Sequence, residues 1–336
     1  MMADQKPLIL VSEPLSENAM AYLRDRGRVR EVPVDQVARH IAEAHALVVR
    51  TYTVVDEALL GRARRLKVVG RAGVALDNID VPACRRRGVE VVHTPAANTL
   101  AVVDYTIGMI VRLNRRFWPM AESLSDEEFH KVRRQSFGRF LCGATLGIIG
   151  LGRIGSRVGR AAVALGMKVI YNDILDIAPD YPATAVDKPA LYAASDIVSL
   201  HVPLTDLTSG LICRETLSQF KDGAQLINSA RGGCVVTEDL ADALGSGKPP
   251  ARGPRGLGPP GGLSGAAIDC HNPEPPPADY PLFGLDNVIL TPHIAARVPE
   301  AMEKMCEVVR DVVAVLEGRT PEFPAPPPRG LGPEPN

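Results

Sequence analysis

The sequence predicts an α/β protein built on two parallel sheets, and three observations carry that expectation. The chain has 336 residues, enough for two domains at roughly 150 residues each. Short apolar runs alternate with amphipathic stretches along most of its length, and the alternation starts afresh at Thr145. Its composition, 46% hydrophobic and 23% charged, is that of a globular chain that buries a core.

In chain order, PLILV, ALVVR, LKVVG and VEVVH read as strands of about five residues. Between them SENAMAYLRDRG, DEALLGRARR and VPACRRRG read as helices of about ten, the long right-handed crossovers that parallel neighbours require. A longer helix is predicted over Asn98 to Arg116, capped by Asn98, with Leu100, Val103, Ile107, Ile110 and Val111 on its apolar face. It leaves the first domain and enters the second. There TLGIIGLG, MKVIYND, DIVSLHV, AQLINSARG, AAIDC and NVILTPH repeat the strand pattern. A last amphipathic helix, Glu300 to Glu317, is apolar at Met302, Met305, Val309, Val312, Val313 and Leu316, and is expected to return to the first domain. The predicted division is therefore residues 1–100 with 297–320 as one discontinuous domain and 101–296 as the other.

Of the 29 prolines, 17 fall in residues 249–262, 273–281 and 321–336, which read as loops or tail. In Pro249 to Gly262, ten of 14 residues are Gly or Pro, so neither helix nor central strand is available. Its hexapeptide Pro254 to Pro259 recurs at Pro328 to Pro333, and low-complexity filler is favoured over a ligand for a proline-binding module.

Several function classes are excluded or disfavoured. A net charge of −1 with 7 Phe, 7 Tyr and 1 Trp provides neither a basic field nor a stacking platform, so no nucleic-acid partner is expected. The six cysteines form no C-x-x-C pair and the seven histidines no H-E-x-x-H, so no metal is expected. No apolar run reaches the roughly 18 residues of a membrane span, and Met1 to Lys6 opens no signal peptide. A reducing, cytoplasmic setting is the expectation.

The strongest motif is Gly150-Leu151-Gly152-Arg153-Ile154-Gly155, which follows the strand Thr145 to Ile149 and opens an amphipathic helix. Three glycines serve a tight turn, backbone approach to a pyrophosphate, and close contact of helix with strand, while helix N–H groups face the anion. Asp173, 18 residues after Gly155, suits the two ribose hydroxyls of an adenosine and repels a 2′-phosphate. Ile174 and Leu175 add no cation, so NAD is expected over NADP.

The runs GIIGLGRIG, HVPLTDLT, INSARGG, AAIDCHNPEP and DNVILTPHIA, with VVGRAGVALDNIDVPACRRRGVEVVHTP earlier in the chain, resemble the D-isomer-specific 2-hydroxyacid dehydrogenase family, which includes phosphoglycerate, glyoxylate and hydroxypyruvate enzymes. The resemblance implies two Rossmann-like domains, an NAD-binding domain inserted into a flavodoxin-like substrate domain. It implies catalytic roles for Arg231, Glu274 and His293. The cofactor would be lined by Gly150, Gly152, Arg153, Ile154, Gly155, Asp173, His201, Val202, Pro203, Thr208, Ser229, Ala230, Arg231, Asp269, His293 and Ala295. The substrate would meet Arg50, Gly73, Val74, Arg231 and His293. Residues Asn98 to Phe140, with Phe117 and Trp118, resemble the family's dimer arm, so a homodimer is expected; no regulatory domain is expected after residue 320.

The residue chemistry agrees with that implication. Reducing a 2-keto acid takes a hydride, a proton for the developing alkoxide, and a cation for the carboxylate and carbonyl oxygens. Arg231 offers a planar, permanently charged fork; His293 can pass a proton near neutrality, and Glu274 would favour its imidazolium. His271 is a weaker candidate, and Cys234 and Cys270 read as buried, inert thiols. The alternative is an NAD(H)-sensing, corepressor-like binding protein of the same fold, which would have no need of the proton donor. The chain departs from the family pattern at Cys270-His271, where Val and an aromatic residue are common, and at Asp104, where Glu is common. The 43-residue spacing from Arg231 to Glu274 exceeds the family's usual one, and the 14 residues 249–262 account for the excess. That loop precedes a strand, so it is expected to lie away from the chemistry and to be tolerated.

Overall fold

A computed structural model describes residues 6–115, 117, 120–245 and 262–327. It forms two compact units, one from the chain up to Asn98 together with the chain from Arg297 onward, the other from Thr99 to Ala296.

The first unit holds β1 (Leu8–Val11), α1 (Glu17–Arg26), β2 (Arg28–Glu31), α2 (Val37–His40), β3 (Ala46–Val49), α3 (Glu57–Leu60), β4 (Val68–Arg71), α4 (Val81–Arg86) and β5 (Glu90–His93). All five strands are parallel in the order β2-β1-β3-β4-β5, the flavodoxin-like winding. Because side chains alternate along a strand, Ile9, Val11, Ala46, Val48, Val68 and Val92 share a core with Met20 and Leu23 of α1. Leu8, Leu10, Leu47, Val49, Val69 and Val91 point the other way, onto Val37, Ile41, Leu59, Leu60 and Cys84.

The second unit holds α5 (Thr99–Asn114), α6 (Asp126–Gln135), β6 (Thr145–Ile149), α7 (Arg153–Ala164), β7 (Lys168–Asn172), β8 (Thr184–Ala185), α8 (Lys188–Ala194), β9 (Ile197–Leu200), α9 (Arg214–Leu217), β10 (Gln225–Asn228), α10 (Thr237–Leu244), β11 (Gly265–Ile268) and β12 (Val288–Leu290). Its strands are all parallel in the order β12-β11-β10-β9-β6-β7-β8, and the winding reverses between β9 and β6. In such sheets ligands bind beyond the carboxyl ends of the strands at that reversal. One face is covered by Val103 and Ile110 of α5 with Val158 and Ala162 of α7, the other by Leu191, Tyr192, Leu217, Leu240 and Leu244.

Five details differ from the sequence-based expectations. Strand β2 has the sequence RVRE, a charged and largely exposed edge strand without an apolar run to announce it, and β8 is only two residues long. The stretches expected as ten-residue helices shorten to four in α3 and six in α4. Leu100 lies on the outer face of α5, whose buried face carries Val103, Thr106, Ile110 and Asn114. The expected helix Glu300 to Glu317 is two helices, α11 (Pro299–Cys306) and α12 (Val308–Leu316), with Val308, Val309, Val312 and Val313 packed on the first unit's sheet. Residues 321–327 are not a loose tail. Both Asp311 carboxylate oxygens accept backbone N–H bonds, from Glu322 and Phe323, and Pro324 bridges to Val92 on edge strand β5.

Residues 249–261, the repeated hexapeptide at 328–333 and Trp118 lie outside the described residues. The anchors of the Gly/Pro-rich stretch are defined. Gly262 accepts from Gly223 N–H, and Ser264 donates to the Ala224 carbonyl, immediately before β10, at the amino end of the sheet.

Candidate active site

The glycine loop begins where β6 ends. Gly150 has φ 92°, a left-handed conformation that glycine adopts without strain, and a Cβ there would stand 2.5 Å from the His201 carbonyl oxygen. At Gly155 a Cβ would stand 2.1 Å from the Gly150 oxygen, so the helix enters hard against the turn. Gly152 is different: a Cβ there meets no atom within 4 Å. It is also the N-cap of α7, and having no side chain it offers no cap bond to that end, where the helix N–H groups point toward the turn. Arg153 and Ile154 form the first turn.

Asp173 follows β7 and reaches back to this turn. One carboxylate oxygen accepts from Leu151 N–H at 2.6 Å and the other from Leu175 N–H at 2.9 Å. Ile174 and Leu175 are exposed. An open glycine, a helix N-terminus and an acid at the next strand end fit an adenine dinucleotide without a 2′-phosphate. Beyond β9, His201 N–H bonds the Ile149 carbonyl, and burial pushes the His201 imidazole down to about 4, so it is neutral at physiological pH. Val202 lies next to Gly150, and the Thr208 hydroxyl closes its loop by donating to the Pro203 carbonyl at 2.6 Å. Ser229 follows β10 and meets the Thr106 hydroxyl of α5 at 3.2 Å, with Ala230 buried beside it.

Arg231, Glu274 and His293 follow β10, β11 and β12, three neighbouring strands, at one edge of the sheet. His293 Nδ1 lies 2.8 Å from Glu274 Oε1, and both side chains are about one-third exposed, at 37% and 32%. A carboxylate can only accept, so Nδ1 carries a proton and Nε2 is the atom left for chemistry. Arg231 donates through Nη1 to the Ala230 carbonyl at 2.6 Å, and the Asn228 side chain braces its backbone at 2.9 Å. The next residue must be glycine, because a Cβ on Gly232 would fall 1.9 Å from the His271 carbonyl oxygen. This close approach holds the Arg231 loop against the segment that leads to Glu274.

Asp269 is wholly buried, and its carboxylate accepts from Thr291 Oγ1 and from the Ile294 and Ala295 N–H groups at 2.7–2.9 Å. Its visible work is to hold the loop that carries His293. Tyr105 of α5 reaches the same Thr291 hydroxyl at 2.5 Å. The sequence reading missed Tyr105 and Thr291 as site residues: Thr291 stood in the Thr-Pro-His run, while no local pattern marks Tyr105. His271 is a structural histidine, its ring nitrogens bonded to Tyr280 Oη and the Thr291 carbonyl. Burial, with the Asp269 charge adding to it, pushes the Cys270 thiol up to about 12, so it is inert.

Arg50, Gly73 and Val74 belong to the other unit, at the carboxyl ends of β3 and β4. There the Arg50 guanidinium donates to the Pro14 carbonyl and contacts Met302 Sδ, each at 3.2 Å. A Cβ on Gly73 would collide with the Arg71 guanidinium, and His93 Nδ1 donates to the Val74 carbonyl at 2.7 Å. Glu13 is buried beneath this loop and accepts from the N–H groups of Arg50, Thr51, Tyr52 and Thr53 and from the Thr53 hydroxyl.

The family model described as D-isomer specific 2-hydroxyacid dehydrogenase, NAD binding domain, matches residues 107–253 and 259–295. A D-3-phosphoglycerate dehydrogenase of Archaeoglobus fulgidus is 36% identical over 318 residues, 92% of this chain and 57% of that protein. The chain thus spans little more than half of that relative's length. A hydroxypyruvate reductase of Thermotoga maritima is 35% identical over 301 residues, 88% of this chain and 93% of that one. Among solved structures, a D-lactate dehydrogenase from Aquifex aeolicus complexed with NAD and lactic acid superposes with a TM-score of 0.74 at 29% identity, covering 93% of this chain and 96% of that one.

Proposed function

Because the chain belongs to the D-isomer specific 2-hydroxyacid dehydrogenase family, we propose that it interconverts a D-2-hydroxy acid and its 2-keto acid, with NAD as cofactor. The single observation that carries this reading is the 2.8 Å contact of His293 with Glu274, beyond the carboxyl ends of the same parallel sheet whose strand β6 leads into the open Gly152 turn. A proton donor held by a carboxylate has a purpose in reduction and none in passive binding of a dinucleotide.

Gly152, the first N–H groups of α7 and Asp173 hold the pyrophosphate and the adenosine ribose. When bound, the reduced nicotinamide supplies a hydride to the keto carbon. Arg231 binds the substrate carboxylate and polarises the carbonyl, which favours the charge that develops on oxygen. His293, its Nδ1–H fixed on Glu274, delivers a proton from Nε2 to that oxygen; in the reverse direction the neutral ring accepts it. Glu274 sets the tautomer and offsets the imidazolium charge. Arg50, Gly73 and Val74, at the carboxyl ends of β3 and β4, are the further proposed contacts for the carboxylate or phosphate of such an acid. The protein acts on small molecules, in the cytoplasm, as a homodimer.

The reading is tested by NADH oxidation with glyoxylate, hydroxypyruvate and 3-phosphohydroxypyruvate. At least one is reduced, and His293→Gln lowers kcat by roughly 10²–10⁴-fold while NADH still binds. No turnover with any keto acid, or full turnover in the variant, rejects it.

A further inference from the structure

Among the described residues, His293 is the one non-glycine residue with positive φ, at 54°. A histidine held there costs of the order of 1 kcal/mol, and the conformation persists only where the surroundings over-determine it. The surroundings do so through a chain of hydroxyls. Thr291 Oγ1 donates to Asp269 Oδ1 at 2.7 Å, and since a carboxylate only accepts, that commits the single threonine proton. The Tyr105 phenol, 2.5 Å away, is therefore the donor to Thr291 Oγ1. Burial pushes the phenol up to about 12, so it keeps its proton. Asp269 gathers the rest of the loop: its carboxylate accepts from Ile294 and Ala295, and its backbone carbonyl from His293 N–H at 2.9 Å.

Resting on the dehydrogenase reading above, we infer that Tyr105 and Thr291 are positioning residues for the reaction, a clamp from α5 through Asp269 that holds His293 in its left-handed conformation with Nε2 presented for proton transfer. Neither touches the reacting atoms. Their effect falls chiefly on the proton-transfer geometry and far less on dinucleotide affinity, because the glycine loop that takes the pyrophosphate lies on β6 and is held by its own bonds to β7 and β9, apart from the contacts made by Asp269, His293 and Ala295.

The test compares Tyr105→Phe, Thr291→Val, Thr291→Ser and the double variant Tyr105→Phe/Thr291→Val in steady-state reduction of the best keto acid, with NADH affinity from fluorescence titration. Tyr105→Phe lowers kcat about fivefold and Thr291→Val about fiftyfold, the larger loss reflecting a bond to a charged group, with NADH affinity within about twofold. Thr291→Ser recovers most of the turnover. The double variant falls no further than Thr291→Val, because the phenol acts only through that hydroxyl. Unchanged kcat in Tyr105→Phe, losses that multiply in the double variant, or a parallel fall in NADH affinity overturns the clamp. Amide hydrogen exchange of residues 288–296 separates this test from the functional one. If the unmodified protein reduces no keto acid, the dehydrogenase reading fails on its own, and the clamp stands only if exchange there accelerates in Tyr105→Phe.

Discussion

At the scale of single residues, two buried carboxylates do similar work in different units. Asp269 ties residues 291–295 to β11, and Glu13 ties residues 50–53 to β1. Burial by itself would raise the Glu13 carboxyl; the N–H groups of Arg50, Tyr52, Thr51 and Thr53 outweigh it and hold it below the usual carboxylate range. A folded-state pKa below the unfolded one means that this group contributes stability fully above the ordinary value of 4.5, and that the contribution is lost as pH falls through the folded value. Glu13→Gln, which turns an amide toward four backbone donors, is expected to lose about 2 kcal/mol at pH 7. Urea unfolding of both proteins between pH 7 and pH 3 checks this: the gap narrows as the solution is acidified, and a constant gap would assign the loss to packing.

At the scale of elements, the junction of β6 with α7 separates glycines that serve the fold from the one that serves the ligand. A methyl at 155 would press on the Gly150 carbonyl, whereas a methyl at 152 would enter open space. Gly155→Ala is therefore expected to cost about 1–3 kcal/mol of stability. Gly152→Ala leaves the melting temperature unchanged and weakens NADH binding by about tenfold or more, since the added carbon takes the place of the pyrophosphate. Thermal melts with parallel NADH titrations distinguish the two, and unimpaired NADH binding in Gly152→Ala would remove the dinucleotide from this turn. The motif itself was legible in the sequence, because its spacing is local. The break between α11 and α12 was not, since the apolar period runs across Glu307 without interruption.

At the scale of the whole molecule, the proposed homodimer is tested on what the second unit leaves exposed. Phe117, Met120, Phe129, Phe137 and Phe140 are all exposed, Phe137 at 80% and Phe140 at 86%, in a segment whose helix α6 has no buried side chain among its described residues. Large apolar side chains concentrated in one short stretch are a signature of an interface. Sedimentation is expected to give twice the chain mass for the unmodified protein, and one chain mass for the variant Phe137→Ser with Phe140→Ser. A monomer in the unmodified protein would remove the homodimer from the proposal.

The alternation of apolar runs and the glycine spacing sufficed for the parallel α/β class and the dinucleotide turn, because each is written in residues close together, while Arg231, Glu274 and His293 became catalytic candidates through the family resemblance of the runs that hold them. Strand β2 escaped that reading, since its pairing with β1 is set by a neighbour and not by its own charged residues. So did Tyr105, which lies 186 residues from Thr291 and meets it only because α5 covers the face of the sheet from which β12 delivers its loop. Local patterns record which residue types a segment needs; which distant side chain completes a buried polar chain depends on how helices pack on the sheet, and only the tertiary structure decides that.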